Sequence, residues 1–229
     1  MNHLLPVIVF LLISGCGGTS PQQKANAIPV AAVSFPVINY DSCKKEVGLL
    51  KQRCRQAWQH LSKQEKEKLF VSTVTGTIIP GWIGTPWSFN GTSEKPQEGS
   101  IACGYFVTTV LRDAGLKLQR IKLAQCASEN MITMLVQPKY ISRFSNVTLE
   151  QFIAAVGQQG YGLYIVGLDN HTGFIFNDGS DIHFIHSTFV GTRNVQNDNA
   201  SVNRILRQSH YKVLGKISAD ERVLQRWIN

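Results

Sequence analysis

The stretch Gly162–Ser187, GLYIVGLDNHTGFIFNDGSDIHFIHS, decides the fold class of this chain. It begins with an apolar run, residues 162–168, of the length that forms a buried strand. Two further runs, Thr172–Phe176 and Asp181–Ser187, flank the turn sequence NDGS at 177–180, and this pattern predicts a β-hairpin. The C-terminal half of the chain is therefore expected to form an antiparallel sheet.

Helices are predicted on both sides of this stretch. Apolar residues spaced by three or four indicate helices over Ser42–Leu61, Cys103–Ala114 and Ile121–Leu135. Capping boxes, in which two side chains three residues apart satisfy free backbone amides, indicate helices that start after Ser62, Thr148 and Ser218. Helices followed by an antiparallel sheet predict an α+β fold.

Two segments complete the expected architecture. Thr73–Gly99 is rich in Gly, Pro and Thr and is expected to form loops with short extended pieces. Tyr211–Leu214 is expected to add a strand at the edge of the sheet. No internal repeat and no second domain boundary interrupt the pattern, which indicates one domain of helices packed on a small antiparallel sheet.

Composition and charge limit the function classes. Of the 229 residues, 43% are hydrophobic and 17% charged, so neither a disordered chain nor a membrane bundle is expected. The formal net charge of +8 raises the local concentration of anionic partners. The basic residues are scattered without a run of five, and a nucleic-acid partner is therefore not expected.

The N-terminus indicates export. Leu4–Ser14 is mainly apolar but shorter than the roughly 20 residues of a membrane-spanning helix, and it is typical of an export signal. ISGC at 13–16 resembles the bacterial lipoprotein signal, in which the cysteine after the cleaved bond receives lipid. We expect a signal peptide at 1–15, a tether at 16–40 that is lipidated on Cys16, and the folded domain at 41–229. The protein is then a membrane lipoprotein of the cell envelope, facing the periplasm in a Gram-negative cell.

Cys103 is the candidate nucleophile. It lies at the predicted start of a helix, where free amides and the helix dipole favour the thiolate, and its small neighbours Ala102 and Gly104 leave the sulfur approachable. The alternative is a small buried core residue, as many free cysteines are.

A catalytic cysteine needs a base, which is usually a histidine, and several histidines lie in or beside the predicted hairpin. A turn centred between Asp178 and Gly179 places His171 opposite His186, about 5 Å apart between Cβ atoms, so that one imidazole can hold the other. His183 falls on the other sheet face, because side chains alternate along a strand. A shifted turn would exchange His186 for His183.

Three ordered segments resemble the NlpC/P60 family of papain-like cell-wall peptidases. They are PWSFNGTS at 86–93, ACGYFV at 102–107 continuing to LRDAG at 111–115, and HTGFI at 171–175 with FIHS at 184–187. The resemblance implies a papain-like fold with extra N-terminal helices, Cys103 as nucleophile, His171 as base and His186 as the orienting residue. It also implies that Trp87 and Gly104 contact the substrate.

This sequence differs from the family pattern at three of these positions. The family has Asp where Ala102 stands, Ser where Gly104 stands and Tyr where Trp87 stands. Trp87 can offer an indole N–H or ring packing, but it has no phenolic hydroxyl. A divergent member of the family is therefore expected.

The expected function is hydrolysis of amide bonds in peptidoglycan stem peptides through a Cys-His-His triad. Two alternatives remain: an amidase or acyltransferase that uses the same triad on lipid or protein amides, and a catalytically silent lipoprotein that binds the wall. No cofactor or metal is expected, because the cysteines and histidines lack the close Cys-x-x-Cys or His-x-x-x-His spacing of zinc sites.

The remaining cysteines, Cys43, Cys54 and Cys126, allow at most one disulfide bond. Cys43 and Cys54 cannot pair within one straight helix, because eleven residues place them about 16 Å apart. A bond from either one to Cys126 is left open, and the oligomeric state is not indicated.

Overall fold

Six antiparallel strands form one sheet in the computed structural model, which describes residues 39–229. In chain order they are β1 (Ile141–Ser145), β2 (Gly162–Leu168), β3 (Thr172–Asn177), β4 (Ile182–Ser187), β5 (Val195–Asn199) and β6 (Tyr211–Gly215). Across the sheet the order is β1-β6-β2-β3-β4-β5. The expected α+β class is confirmed. The predicted signal peptide and Cys16 lie outside the described residues, as does the tether up to residue 38.

The α-helices of residues 39–229 surround this sheet. They are α1 (Tyr40–Ala57), α2 (Lys63–Ser72), α3 (Ile79–Trp82), α4 (Cys103–Asp113), α5 (Arg120–Ala124), α6 (Ser128–Leu135), α7 (Leu149–Gln159), α8 (Arg204–Gln208) and α9 (Glu221–Ile228). The capping boxes at Ser62 and Thr148 are both present. The helix that was predicted to start after Ser218 is α9. Its cap is Asp220, whose carboxylate accepts from the backbone amide of Arg222.

The sheet separates two apolar cores. β2 is buried along its whole length, and its side chains alternate between the faces. Leu163 and Ile165 join the larger core with α4 and the N-terminal helices. Tyr164 and Val166 join the smaller core with α7. This burial explains the unbroken apolar run in the sequence, and it makes β2 the centre of the fold.

One prediction about the strands is wrong, and two strands were missed. β6 is an inner strand between β1 and β2, because the polar-looking strand β1 covers its outer side. β1 and β5 were not predicted, since their alternating exposed positions leave few apolar residues. The described part of the domain begins with α1 at Tyr40, whose buried hydroxyl donates to Asp113 at 2.8 Å.

Two predictions about helices also need correction. The segment after Thr73 is helical as far as Trp82, through a π-helix (Thr73–Ile78) and α3, because Val74, Ile78 and Trp82 are fully buried. The predicted helix Ile121–Leu135 is two helices, α5 and α6. Its break at residues 125–127 lies beside α4 and shapes the site described next.

Candidate active site

Cys103 is the first residue of α4, and hydrogen bonds hold the chain just before it. The Ala102 amide donates to the Gly91 carbonyl at 2.8 Å. The Ser187 hydroxyl donates to the Ile101 carbonyl at 2.6 Å. The start of the helix is therefore tied both to the loop after α3 and to the end of β4, the strand that carries His186.

Gly104 allows α5 to approach the start of α4 closely. A Cβ atom at this position would lie 2.4 Å from the Ala124 carbonyl oxygen, which is backbone and cannot swing away. Only glycine fits here without a shift. Gly104 lines the cleft beside the sulfur, and the structure gives it this steric role.

The Cys103 thiol is half-buried, and burial raises its pKa above the ordinary value. Backbone N–H groups of Thr172, Gly104 and Cys103 itself donate toward the sulfur and act in the opposite direction, but burial outweighs them. The expected lowering of this pKa by the helix start is therefore not met, because burial outweighs the helix amides. Because Thr172 follows His171 directly, the same contact places the sulfur at the strand end that carries the imidazole.

His171 lies at the end of the tight turn between β2 and β3. The Leu168 amide donates to the His171 carbonyl at 2.8 Å, which closes the turn. Inside the turn, the Asp169 carboxylate accepts from the backbone amides of His210 at 2.7 Å and Tyr211 at 2.9 Å. The start of β6 thus anchors the turn that holds the candidate base.

His171 and His186 contact each other, as the sequence predicts, although the register differs. Nε2 of His171 lies 2.8 Å from Nδ1 of His186, and both side chains are buried. The loop spans residues 178–181 rather than two residues, so that Phe176 pairs with His183. This two-residue shift preserves the face of each side chain, and His186 therefore stays on the side of His171.

Asp198 on β5 extends the pair and was not found from the sequence. Its Oδ2 lies 3.1 Å from Nε2 of His186, and the Asn203 amide donates to the same oxygen at 2.8 Å. Because the carboxylate accepts, Nε2 of His186 is the protonated nitrogen and its Nδ1 is an acceptor. Nε2–H of His171 then donates to it, which leaves the lone pair on Nδ1 of His171.

That Nδ1 atom is the free end of the chain of hydrogen bonds. It is buried, and no hydrogen-bond partner for it lies within residues 39–229. Burial, and to a smaller extent the neighbouring His186, lowers the pKa of His171 to about 3. Burial also lowers the pKa of His186, although Asp198 opposes this effect. The imidazole of His171 is thus neutral near pH 7 and able to accept a proton.

The other described histidines lie apart from this chain of hydrogen bonds. His183 stacks on Phe176 and lies 3.2 Å from the Asp178 carboxylate, on the opposite face of β4 from His186. The proposed exchange of His183 for His186 is therefore excluded by the geometry. His60 and His210 are exposed and belong to other regions, and His3 lies outside the described residues.

Cys103 and His171 line a cleft with two arms. The aromatic arm has a volume of about 650 Å³, and its rings belong to Trp87, Phe89, Tyr105 and Phe189. The acidic arm has a volume of about 480 Å³, and its polar side chains include Ser128, Glu129, Asp169 and Tyr211. Both arms are lined by Cys103, Gly104, Ala124, Asn170 and His171. An extended substrate can therefore lie across the sulfur with one part in each arm.

Trp87, expected to contact substrate, lies in the wall of the aromatic arm. Its ring centroid is 5.9 Å from that of Phe189, and the Arg193 guanidinium lies over the indole at 5.0 Å. The Trp87 amide also donates to the Arg193 carbonyl at 2.8 Å. The indole is fixed from several sides before any ligand arrives.

The described cysteines, Cys43, Cys54, Cys103 and Cys126, are all free thiols. The disulfide bond left open to Cys126 is not formed. Within residues 39–229, no group of three His, Cys, Asp or Glu side chains is arranged to hold a metal ion. No helix in this range is long and apolar enough to cross a membrane.

Comparison with known proteins gives no relative. No family model, curated protein or solved structure matches the chain.

Proposed function

We propose that this chain is a lipid-anchored, exported cysteine hydrolase that cleaves amide bonds in peptidoglycan stem peptides. The observation that carries the chemistry is the chain of hydrogen bonds from Asp198 through His186 to His171, which leaves Nδ1 of His171 without a partner in a side chain that lines the same cleft as Cys103. The substrate class and the envelope location rest on the NlpC/P60 resemblance and on the lipoprotein signal at Cys16.

The first chemical step starts from a neutral thiol and a neutral imidazole. Nδ1 of His171 removes the proton of the Cys103 thiol while the sulfur attacks the carbonyl carbon of the scissile amide. The imidazolium that forms is stabilised by His186, which remains oriented by the Asp198 carboxylate. The Cys103 backbone N–H, at the start of α4, donates to the developing oxyanion, an interaction whose loss typically costs about 100-fold or more in rate.

In the second half of the reaction, His171 gives up the proton that it took from Cys103. His171 delivers its proton to the leaving nitrogen, the C–N bond breaks, and a thioester between substrate and Cys103 remains. A water molecule, deprotonated by His171, attacks this thioester and releases the carboxylic acid and the free thiol. No redox step is involved, and every proton passes through His171.

Digestion of purified peptidoglycan tests the proposal. The chain from Ala25 onward should release peptide fragments that mass spectrometry identifies by their new carboxyl and amino ends, whereas Cys103→Ala should release none. An intact wall together with turnover of lipid or protein amides would instead support the amidase or acyltransferase alternative. An intact wall together with no turnover of lipid or protein amides would support the silent wall-binding alternative.

A further inference from the structure

The two arms of the cleft differ in charge, and this difference bears on what each one binds. The acidic arm is lined by Glu129 and Asp169, whose carboxylates accept from Arg143 and from the backbone amides of residues 210 and 211. The aromatic arm, among residues 39–229, is lined by no Asp, Glu, Lys or Arg side chain, and His171 at its inner end is neutral. A charged group of a substrate would lose its hydration in the aromatic arm without gaining an ion pair. The lining of this arm therefore favours an uncharged occupant.

The rings of the aromatic arm are unusually exposed for their size. Phe89 is 82% exposed and Phe189 is 39% exposed, although both border a concave surface. Contact with a flat apolar face of a ligand would remove this surface from water and stabilise the complex. Trp87 is already held by Arg193 and Phe189, so little conformational entropy is lost when a ligand packs on it.

Amide side chains border the same rings. Asn90, Gln125 and Asn170 line the arm, and Gln125 donates to the Tyr105 hydroxyl at 3.0 Å. An acyl chain would displace water from these amides and leave them without partners, which costs binding free energy. A ligand with both flat C–H faces and neutral hydrogen-bonding groups satisfies the rings and the amides together. An N-acetylated pyranose has this combination.

We infer that the aromatic arm binds a neutral N-acetylhexosamine ring of the glycan strand, while the stem peptide crosses Cys103 toward the acidic arm. The identity of the sugar rests on the proposed function, because the glycan of peptidoglycan is the sugar attached to that peptide. The protein then prefers stem peptides still joined to glycan over the same peptides set free.

The kinetic test uses the full-length chain and two substrates, a disaccharide stem peptide and the same peptide without sugar. The wild type should show a kcat/KM about tenfold higher for the disaccharide peptide, and Phe89→Ala should reduce this ratio about three- to tenfold. Leu49→Ala, which removes a similarly exposed apolar side chain outside the cleft, should leave the ratio unchanged. Equal kcat/KM values for the two substrates would overturn the inference while leaving the proposed hydrolysis intact.

The binding test separates the two proposals. Full-length Cys103→Ala is titrated with di-N-acetylchitobiose, and tryptophan fluorescence reports on Trp87. Saturable binding that Phe89→Ala weakens supports the inference, even if the wild type cleaves no peptide and the proposed hydrolysis fails. Absence of chitobiose binding, or stronger competition by an N-octanoyl amide than by chitobiose, would show that the arm does not bind sugar.

Discussion

Asp198 lies 3.1 Å from His186 and determines which nitrogen of His171 carries a proton. The carboxylate can only accept, so each imidazole donates toward it and the lone pair of His171 remains on Nδ1. A residue two strands away from His171 in the sheet thus controls the protonation of the candidate base.

Asp198→Ala should impair wall digestion more than Asp198→Asn does. In Asp198→Asn the amide oxygen can keep the acceptor position, because the Asn203 amide also donates there. Asp198→Ala leaves Nε2–H of His186 without an acceptor, so neither imidazole is held in the tautomer that leaves the lone pair on Nδ1 of His171. For Asp198→Ala we expect kcat to fall by up to about 10⁴-fold, with KM little changed. Wall digestion under initial-rate conditions measures this effect.

The matched control is Asp178→Ala, because Asp178 pairs with His183 on the opposite face of the sheet. This variant should digest the wall at the wild-type rate. Equal activity of Asp198→Ala and the wild type would refute the tautomer assignment and with it the role of His171 as base.

The free energy of unfolding should fall as the pH drops below about 6.5. His171 has a pKa of about 3 in the folded protein against 6.5 for an unburied histidine, so the unfolded chain binds its proton first. Between these pH values the unfolded state takes up more protons, and the folded state loses about 1.4 kcal/mol per pH unit for this group. Urea denaturation from pH 5 to 7 measures the slope.

His171→Gln should reduce that slope, because it removes one group that titrates only on unfolding. His60→Gln, at an exposed position, is the control and should retain the wild-type slope. An unchanged slope in His171→Gln would mean that His171 is not held neutral by burial.

Gly104→Ala should both destabilise the protein and slow turnover. The new Cβ would meet the Ala124 carbonyl at 2.4 Å, so α4 or α5 must shift, at a cost of about 1–3 kcal/mol. Because the shift moves Cys103, kcat should fall as well. Gly157→Ala is the control: no atom lies within 4 Å of the added Cβ, and replacement within α7 should stabilise by about 0.4–1 kcal/mol. Wild-type stability of Gly104→Ala would contradict the close approach.

Tyr40→Phe should destabilise the domain by about 1–3 kcal/mol. The Tyr40 hydroxyl donates to Asp113 at 2.8 Å and accepts from the Trp82 indole at 2.7 Å, so its loss leaves two groups without their partner. Thermal unfolding of Tyr40→Phe beside Tyr161→Phe provides the comparison, since the half-buried Tyr161 makes no side-chain hydrogen bond among the described residues. Similar melting temperatures would show that α1 does not depend on Tyr40.

Predictions from the sequence were correct where the structure depends on residues close together in the chain. The apolar run of β2 and the capping boxes at Ser62 and Thr148 identified elements correctly, because burial and capping act locally. The predicted hairpin register was wrong by two residues. Because side chains alternate along a strand, an even shift still places His186 on the correct face of the sheet. The contact between His171 and His186 was therefore predictable from sequence, whereas their catalytic role remains a proposal.

The missed features depend on partners far away in the chain. Asp198 lies in a polar stretch whose strand, β5, exists because β4 pairs with it. The inner position of β6 depends on β1, and Lys212 within β6 is buried only because its ammonium donates to the Ser209 carbonyl. The raised pKa of Cys103 likewise comes from the surrounding burial, which a helix start alone does not reveal.

The inner place of β6 has a consequence for the timing of activity. The amide of Tyr211 fixes Asp169 in the turn that presents His171, and the rest of β6 closes the open side of β2. A growing chain that ends before residue 211 lacks both supports. Nine-tenths of the polypeptide must therefore be made before the turn that carries His171 can be held in place.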